Sequence, residues 1–223
     1  MNRSFPFQAI SLDVDGTMYD KAKLRKRIIL KMPFSIPFIR QVISARETLR
    51  TRGAEVPDFK RAQAAILARR LGKQRSKVES RLEKVVYKKL PGLLSGIPAF
   101  ENLHDVLKNL AAGGTRLAVL SDFPAREKIS ALGLEDLPWD VVLAAESFGV
   151  LKPHPRPFKE LAKKLALDPE QILHVGDRED CDIKGAEAAG FKAILFSRNN
   201  QSSFQPSFAR WDDFISVISR YYN

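Results

Sequence analysis

Two kinds of segment alternate along most of the chain. The first is a short, unbroken apolar run bounded by polar residues or glycine: FQAISLDV from Phe7, TRLAVLSD from Thr115, DVVLAAES from Asp140, QILHVGD from Gln171 and FKAILFS from Phe191. The second is an amphipathic stretch with apolar positions three and four apart, at about 99–112, 125–132, 157–165 and 182–189. Runs apolar on both faces suit strands covered from both sides, and their alternation with helices predicts a doubly wound, Rossmann-like parallel α/β sheet of five strands. A last amphipathic stretch, FARWDDFISVISRYY from Phe208, predicts a helix closing over that sheet, and SRNNQSSFQPS from Ser197 reads as a polar loop.

One region breaks the alternation. Between residues 21 and 95 there is no strand pattern; three helical stretches end at Gly53, at Gly72 and at Pro91-Gly92. The last of them aligns Val78, Leu82, Val85, Val86 and Leu90 on one stripe. The expectation is an α/β core made of residues 1–20 and 96–223, with residues 21–95 inserted as a small helical bundle.

Charge sharpens that division. The whole chain of 223 residues carries a net +11, but residues 21–95 hold 21 Lys and Arg against 5 Asp and Glu (+16), leaving 16 against 21 (−5) for the rest. An acidic body thus carries a basic insert. A single cysteine, Cys181, excludes an internal disulfide, and three scattered histidines give no zinc pattern. The first core strand begins too early to leave room for a signal peptide, and no long uncharged apolar run predicts a transmembrane segment. A reducing, cytoplasmic setting is the expectation.

The chemistry sits where strands end. Asp13 and Asp15 close the first run, Ser121 and Asp122 the second, and Asp177 the fourth; Lys152 follows the third in GVLKPHPRPF. Ligands of open parallel sheets bind at the carboxyl ends of the strands. Two carboxylates this close repel unless a cation or proton compensates. Carboxylates for a hard cation, a hydroxyl and a lysine for phosphate oxygens, and one aspartate able to attack phosphorus suit phosphoryl transfer.

These residues carry a resemblance. DVDGT at 13–17, LSD with Ser121, KPHPRPF with Lys152 and GDREDCD with Asp177 and Asp182 stand in the order of the four motifs of the haloacid dehalogenase superfamily. The likeness runs from about residue 8 to 197, in the branch whose helical cap is inserted after the first motif, as in phosphoglycolate phosphatases and β-phosphoglucomutases. It implies a Mg²⁺-dependent phosphatase acting on a small phosphorylated metabolite through an aspartyl phosphate. Asp13 would be the nucleophile, and Asp15 the acid and then the base. The Asp13 side chain, the Asp15 backbone carbonyl and Asp177 would hold Mg²⁺, with Asp182 supporting them, and Ser121 and Lys152 would bind the phosphoryl oxygens. Dehalogenases lack the second aspartate, because halide leaves without a proton. Asp15 therefore favours phosphate esters.

Other readings remain beside this one. The same core serves phosphomutases, and a chain that had lost turnover would be an anion-, nucleic-acid- or lipid-binding protein using its basic cap. Ser121 could instead cap the following helix, and Asp182 could be the N-cap of the helix running to residue 189. His174, inside an apolar strand, reads as structural; His154 reads as exposed, and Cys181 as unreactive. Lys77, Arg81, Lys84 and Lys88 form a stripe expected to be a solvated face, and no nucleic-acid motif accompanies it. IILKMPFSIPFIR could lie on a membrane surface, but Pro33 and Pro37 interrupt it, and packing within the bundle is the expected fate of its apolar residues.

Overall fold

The computed structural model describes residues 5–198 and 203–222, so part of the expected loop after Ser197 lies outside the described residues. Six strands form one parallel sheet in the order β3-β2-β1-β4-β5-β6. They are β1 (Ala9–Leu12), β2 (Arg116–Ser121), β3 (Trp139–Ala144), β4 (Ile172–Gly176), β5 (Lys192–Phe196) and β6 (Ser207–Phe208). The longer helices are α1 (Lys21–Lys31), α2 (Ile36–Arg52), α3 (Phe59–Leu71), α4 (Arg75–Leu82), α5 (Leu103–Ala112), α6 (Arg126–Ala131), α7 (Arg156–Leu165), α8 (Lys184–Ala188) and α9 (Phe214–Tyr222). The five expected strands are present. The additional β6 is too short to show as an apolar run; Phe208 anchors it against Phe196 and Trp211, with ring centroids 5.2 and 5.1 Å away.

Both faces of the sheet are covered, and the strand period sorts residues between them. Ile10, Leu12, Leu117, Val119, Leu173, Val175, Ile194 and Phe196 face α5, α6 and α9. Their neighbours Ala9, Ala118, Leu120, Ile172, Ala193 and Leu195 face α7 and α8. β1 lies between β2 and β4, with Leu12 opposite both Val119 and Val175. The order of strands reverses at β1, which opens the crevice beside its carboxyl end.

Residues 21–92 are helical and turn, without strand. Helices α2, α3 and α4 bury Phe38, Val42, Ala64, Leu67, Val78, Leu82, Val85 and Val86 in a cluster of their own. After Leu82 the last helix runs on through a π-helical stretch, Glu83–Lys89, into Leu90–Gly92. A smaller cluster joins insert to core: Leu49 and Phe59 pack on Leu151. There the backbones touch, since the Val56 N–H donates to the Gly149 carbonyl at 3.0 Å. A Cβ on Gly149 would lie 1.9 Å from the Val56 carbonyl oxygen, so only glycine allows this approach.

One expectation fails within the insert. Helix α1 does not join the bundle: none of its residues is buried. It meets the following helical segment at 105°, because Pro33 lacks the N–H that would continue the helix. Ile29, Leu30 and, just beyond, Phe34 are therefore exposed. The basic stripe on α4 and the π-helical stretch after it is solvated at Lys77, Lys84 and Lys88 as expected, whereas Arg81 is half-buried over the Phe38 ring at 4.3 Å.

Candidate active site

The first two acids diverge as soon as β1 ends. The Asp13 N–H still donates to Val175 in β4 at 2.9 Å, so its carboxylate emerges between the central strands and stays buried. Val14 is buried too, and the chain then turns with the Met18 N–H bonding the Val14 carbonyl at 3.0 Å. Gly16 takes φ +100° in that turn, and a Cβ there would lie 2.3 Å from an Asp177 carboxylate oxygen. Asp15, past the turn, points elsewhere: it accepts from the Tyr19 hydroxyl at 2.5 Å and pairs with Lys128 of α6.

Lys152 is the hub. Its ammonium is 2.6 Å from Asp13 Oδ1, 2.5 Å from Asp182 Oδ1 and 3.0 Å from the Leu120 carbonyl, in a side chain only 3% exposed. Asp13, Asp177 and Asp182 each offer an oxygen within 4.8 Å of the others. Asp182 is not an N-cap. It lies inside the π-helical turn Glu179–Ile183, and its Oδ2 accepts from the Arg178 N–H at 3.0 Å. Asp177 is paired with Lys21 of α1. Ser121 ends β2 fully buried, its Oγ accepting from the Phe123 N–H at 3.4 Å. The structure thus brings Asp13, Lys152, Asp177 and Asp182 into direct register, with Ser121 one residue beyond a Lys152 partner and Asp15 on the adjoining turn.

Electrostatics follow from burial and these pairings. Burial, then the charges of Asp182 and Asp177, push the Asp13 carboxyl up to about 7 even though Lys152 pulls the other way. Burial raises Asp177 as well. Asp182 goes the opposite way: against the effect of burial, the Lys152 ammonium holds it well below the carboxylate range. Asp15 is also lowered, because Lys128 and Tyr19 outweigh its burial. The Lys152 ammonium is driven up by Asp13 and Asp182 despite its own burial. Three carboxylates against two lysines, Lys152 within the cluster and Lys21 at its edge, leave an excess of negative charge, and oxygen ligands with that excess fit a hard divalent cation.

Several residues of the site escape the sequence reading. Tyr19 and Lys128 hold Asp15. From the insert, Arg46 bonds Glu146 at 2.6 Å and the Asp122 carbonyl at 2.9 Å, stacking 3.5 Å from the Phe123 ring centroid. Arg50 bonds the Asp122 carboxylate at 2.8 Å and donates to the Lys152 carbonyl. The available signal was register: Lys128 falls on the stripe of Ala125, Ile129 and Leu132, and Arg46 on that of Phe38, Val42, Ala45 and Leu49. His174 is buried, as expected of a structural residue, but it also lies 3.7 Å from Asp182. His154 is half-buried, with its Nδ1 accepting from the Arg156 N–H. Cys181 is buried, and desolvation pushes its thiol up to about 12, which makes it a poor nucleophile.

Residues 7–190 match the family model of the haloacid dehalogenase-like hydrolases. The glyceraldehyde 3-phosphate phosphatase of Methanopyrus kandleri is 36% identical over 110 residues, which is 49% of this chain and 45% of that protein. The phosphoglycolate phosphatase of Rhodospirillum rubrum is 32% identical over 146 residues, 62% of this chain and 59% of its own. The chain thus spans about half the length of these curated relatives. Among solved structures, the L-2-haloacid dehalogenase of Xanthobacter autotrophicus superposes with a TM-score of 0.67 at 19% identity, covering 97% of this chain and 100% of that one. That last likeness is one of fold.

Proposed function

The chain belongs to the haloacid dehalogenase-like hydrolases, and on that premise we propose that it is a Mg²⁺-dependent phosphatase of a small phosphomonoester, working in the cytoplasm, with residues 21–95 as its cap. One observation carries the reading: a buried ammonium, Lys152, grips Asp13 and Asp182 inside a cluster completed by Asp177, while Asp15 stands apart with its own donors. Two acids in different surroundings suit two different tasks.

Asp13 attacks phosphorus, and the ester P–O bond breaks as the leaving oxygen takes a proton from Asp15. Water then attacks the aspartyl phosphate, the P–O bond to Asp13 breaks, and Asp15 takes the proton from that water. Such acid–base assistance is worth about 10²–10⁴-fold. Tyr19 and Lys128 keep Asp15 ionised, the form that the second half needs. A phosphate dianion arriving beside it favours the protonated form that the first half needs. Ser121 and Lys152 bind the transferring oxygens. The Asp13 side chain, the Asp15 carbonyl and Asp177 would hold Mg²⁺, with Asp182 fixing Lys152 behind them. Bound there, the cation neutralises charge on the transferring phosphoryl group.

A panel of phosphorylated metabolites tests the proposal by release of inorganic phosphate. Phosphate equal to substrate consumed is the expected result. An isomeric phosphate ester as product would make the protein a mutase, and no turnover of any ester would make it an anion-binding module.

A further inference from the structure

Helix α1 touches the rest of the fold along one side only, where Leu24 packs on the core, Met32 just beyond it packs on the insert cluster, and Arg27 holds three carbonyls. No residue of α1 is buried, although it carries Leu24, Ile28, Ile29 and Leu30. A helix of this length is marginal in water, and packing normally sustains it. Leu24, Ile28 and Met32 are partly covered on the protein side. The opposite side is open: Leu30 is 79% exposed, Phe34 at the corner 92%, and Ile29 52%. Isolated exposed apolar side chains are ordinary, but these three fall within six residues of one another around a bend of 105°.

The charge around them is of one sign. From Lys21 to Arg46 there are eight Lys and Arg and no Asp or Glu. Lys21 and Arg46 are paired with core carboxylates, and Arg27 is bound to the Leu93, Ser95 and Gly96 carbonyls. Lys23, Arg25, Lys26, Lys31 and Arg40 are exposed and form no salt bridge among the described residues. On the outward arc of α1 they interleave with the apolar residues, as Lys23, Arg25 and Lys26 beside Ile29 and Leu30.

We infer that this corner is a peripheral docking surface for anionic phospholipid, with Ile29, Leu30 and Phe34 entering the acyl boundary and the flanking cations meeting the head groups. Exposed apolar anchors at a bend, flanked by exposed basic side chains, have the chemistry of an interfacial helix. A second copy of the chain fits less well, because a twofold contact would set this basic face against itself. Nucleic acid needs the cations but gives Leu30 and Phe34 nothing to enter. The inference stands independently of the phosphatase reading, since none of these residues lies at the catalytic cluster.

The test is co-sedimentation of the full chain with vesicles, either of phosphatidylcholine alone or of an equal mixture with phosphatidylserine. Binding is expected only to the mixed vesicles and should be lost at about 1 M salt, where the screening length falls to about 3 Å. Leu30→Ser and Phe34→Ser should each weaken it about tenfold, and Lys26→Gln and Lys31→Gln about fivefold each. All four positions are exposed, so circular dichroism should be unchanged. Three results overturn the inference. These are no binding to acidic vesicles, binding indifferent to Leu30→Ser and Phe34→Ser, and a concentration-dependent dimer that those two substitutions dissolve. A mobility-shifted duplex that needs Lys26 and Lys31 but not Phe34, without vesicle binding, would assign the surface to nucleic acid.

Discussion

Replacing Lys152 with methionine keeps an apolar stem of similar length and removes the charge at the centre of the site. That ammonium lies 2.6 Å from Asp13 and 2.5 Å from Asp182, and Asp177 stands within 4.8 Å of both carboxylates. Removing one partner of a buried ion pair strands the other charge and costs about 3–5 kcal/mol. That is a large share of the roughly 5–15 kcal/mol that holds a typical domain folded. Asp13 limits the loss by taking a proton. Its carboxyl is already pushed up to about 7 from 3.8 by burial, with Lys152 opposing, and without Lys152 it rises further. A group raised on folding stabilises fully below its unfolded value, and that contribution is lost as pH climbs through the folded value. The cost of Lys152→Met in chelator-treated protein should therefore be greatest near about pH 8, where Asp13 and Asp182 are both ionised, and clearly smaller near about pH 5. Turnover should fall by about 10²–10³, as when one preorganised donor to developing charge is removed. Urea denaturation at the two pH values and hydrolysis of p-nitrophenyl phosphate measure the two effects. Equal destabilisation at both pH values, or a kcat within tenfold of wild type, would refute the reasoning.

Asp13→Asn should keep the circular dichroism spectrum and release no phosphate; a rate near wild type removes Asp13 from the role of nucleophile. Chelation should stop hydrolysis and added Mg²⁺ restore it, and the rise in Tm on adding Mg²⁺ should be larger at about pH 8 than at about pH 6, because the ion competes with a proton on Asp13. Identical Tm shifts at the two pH values count against Asp13 as a ligand. Arg46→Met should destabilise by about 3–5 kcal/mol by leaving Glu146 buried without its cation. Adding Glu146→Gln should recover much of that loss in a double-mutant cycle, and strict additivity would show that the pair does not couple.

The sheet was legible because period-two sorting with both faces covered leaves unbroken apolar runs, and Ile10–Leu12 and Leu173–Val175 carry it openly. Asp13 and Asp177 were legible because a polar residue at the end of such a run has a destination, and Lys152 because of its setting in KPHPRPF. β6 was not, since two residues carry no period. The fate of α1 was misjudged for a related reason. Apolar residues near prolines promise burial, yet whether a partner stands opposite is a property of the tertiary path. Asp182 lay between the two cases: its spacing suited a helix cap, and only the π-helical turn directs it at Lys152.

The missed residues share a physical logic. A cation on an apolar helical stripe, such as Arg46 or Lys128, is costly unless a carboxylate waits on the surface it packs against. The sequence displays the first half of that condition and hides the second, which sits a hundred residues or more away: Glu146 for Arg46, Asp15 for Lys128. Lys21 with Asp177 and Arg50 with Asp122 repeat the pattern from the insert to the strand ends. Two parts of the insert's positive charge differ in what they meet. One is matched across the joint between insert and core, where it fixes the rim of the catalytic cluster. Another, at Lys23, Arg25, Lys26, Lys31 and Arg40, meets no carboxylate within salt-bridge reach among the described residues, and it flanks in sequence the apolar corner whose Ile29, Leu30 and Phe34 the fold leaves exposed.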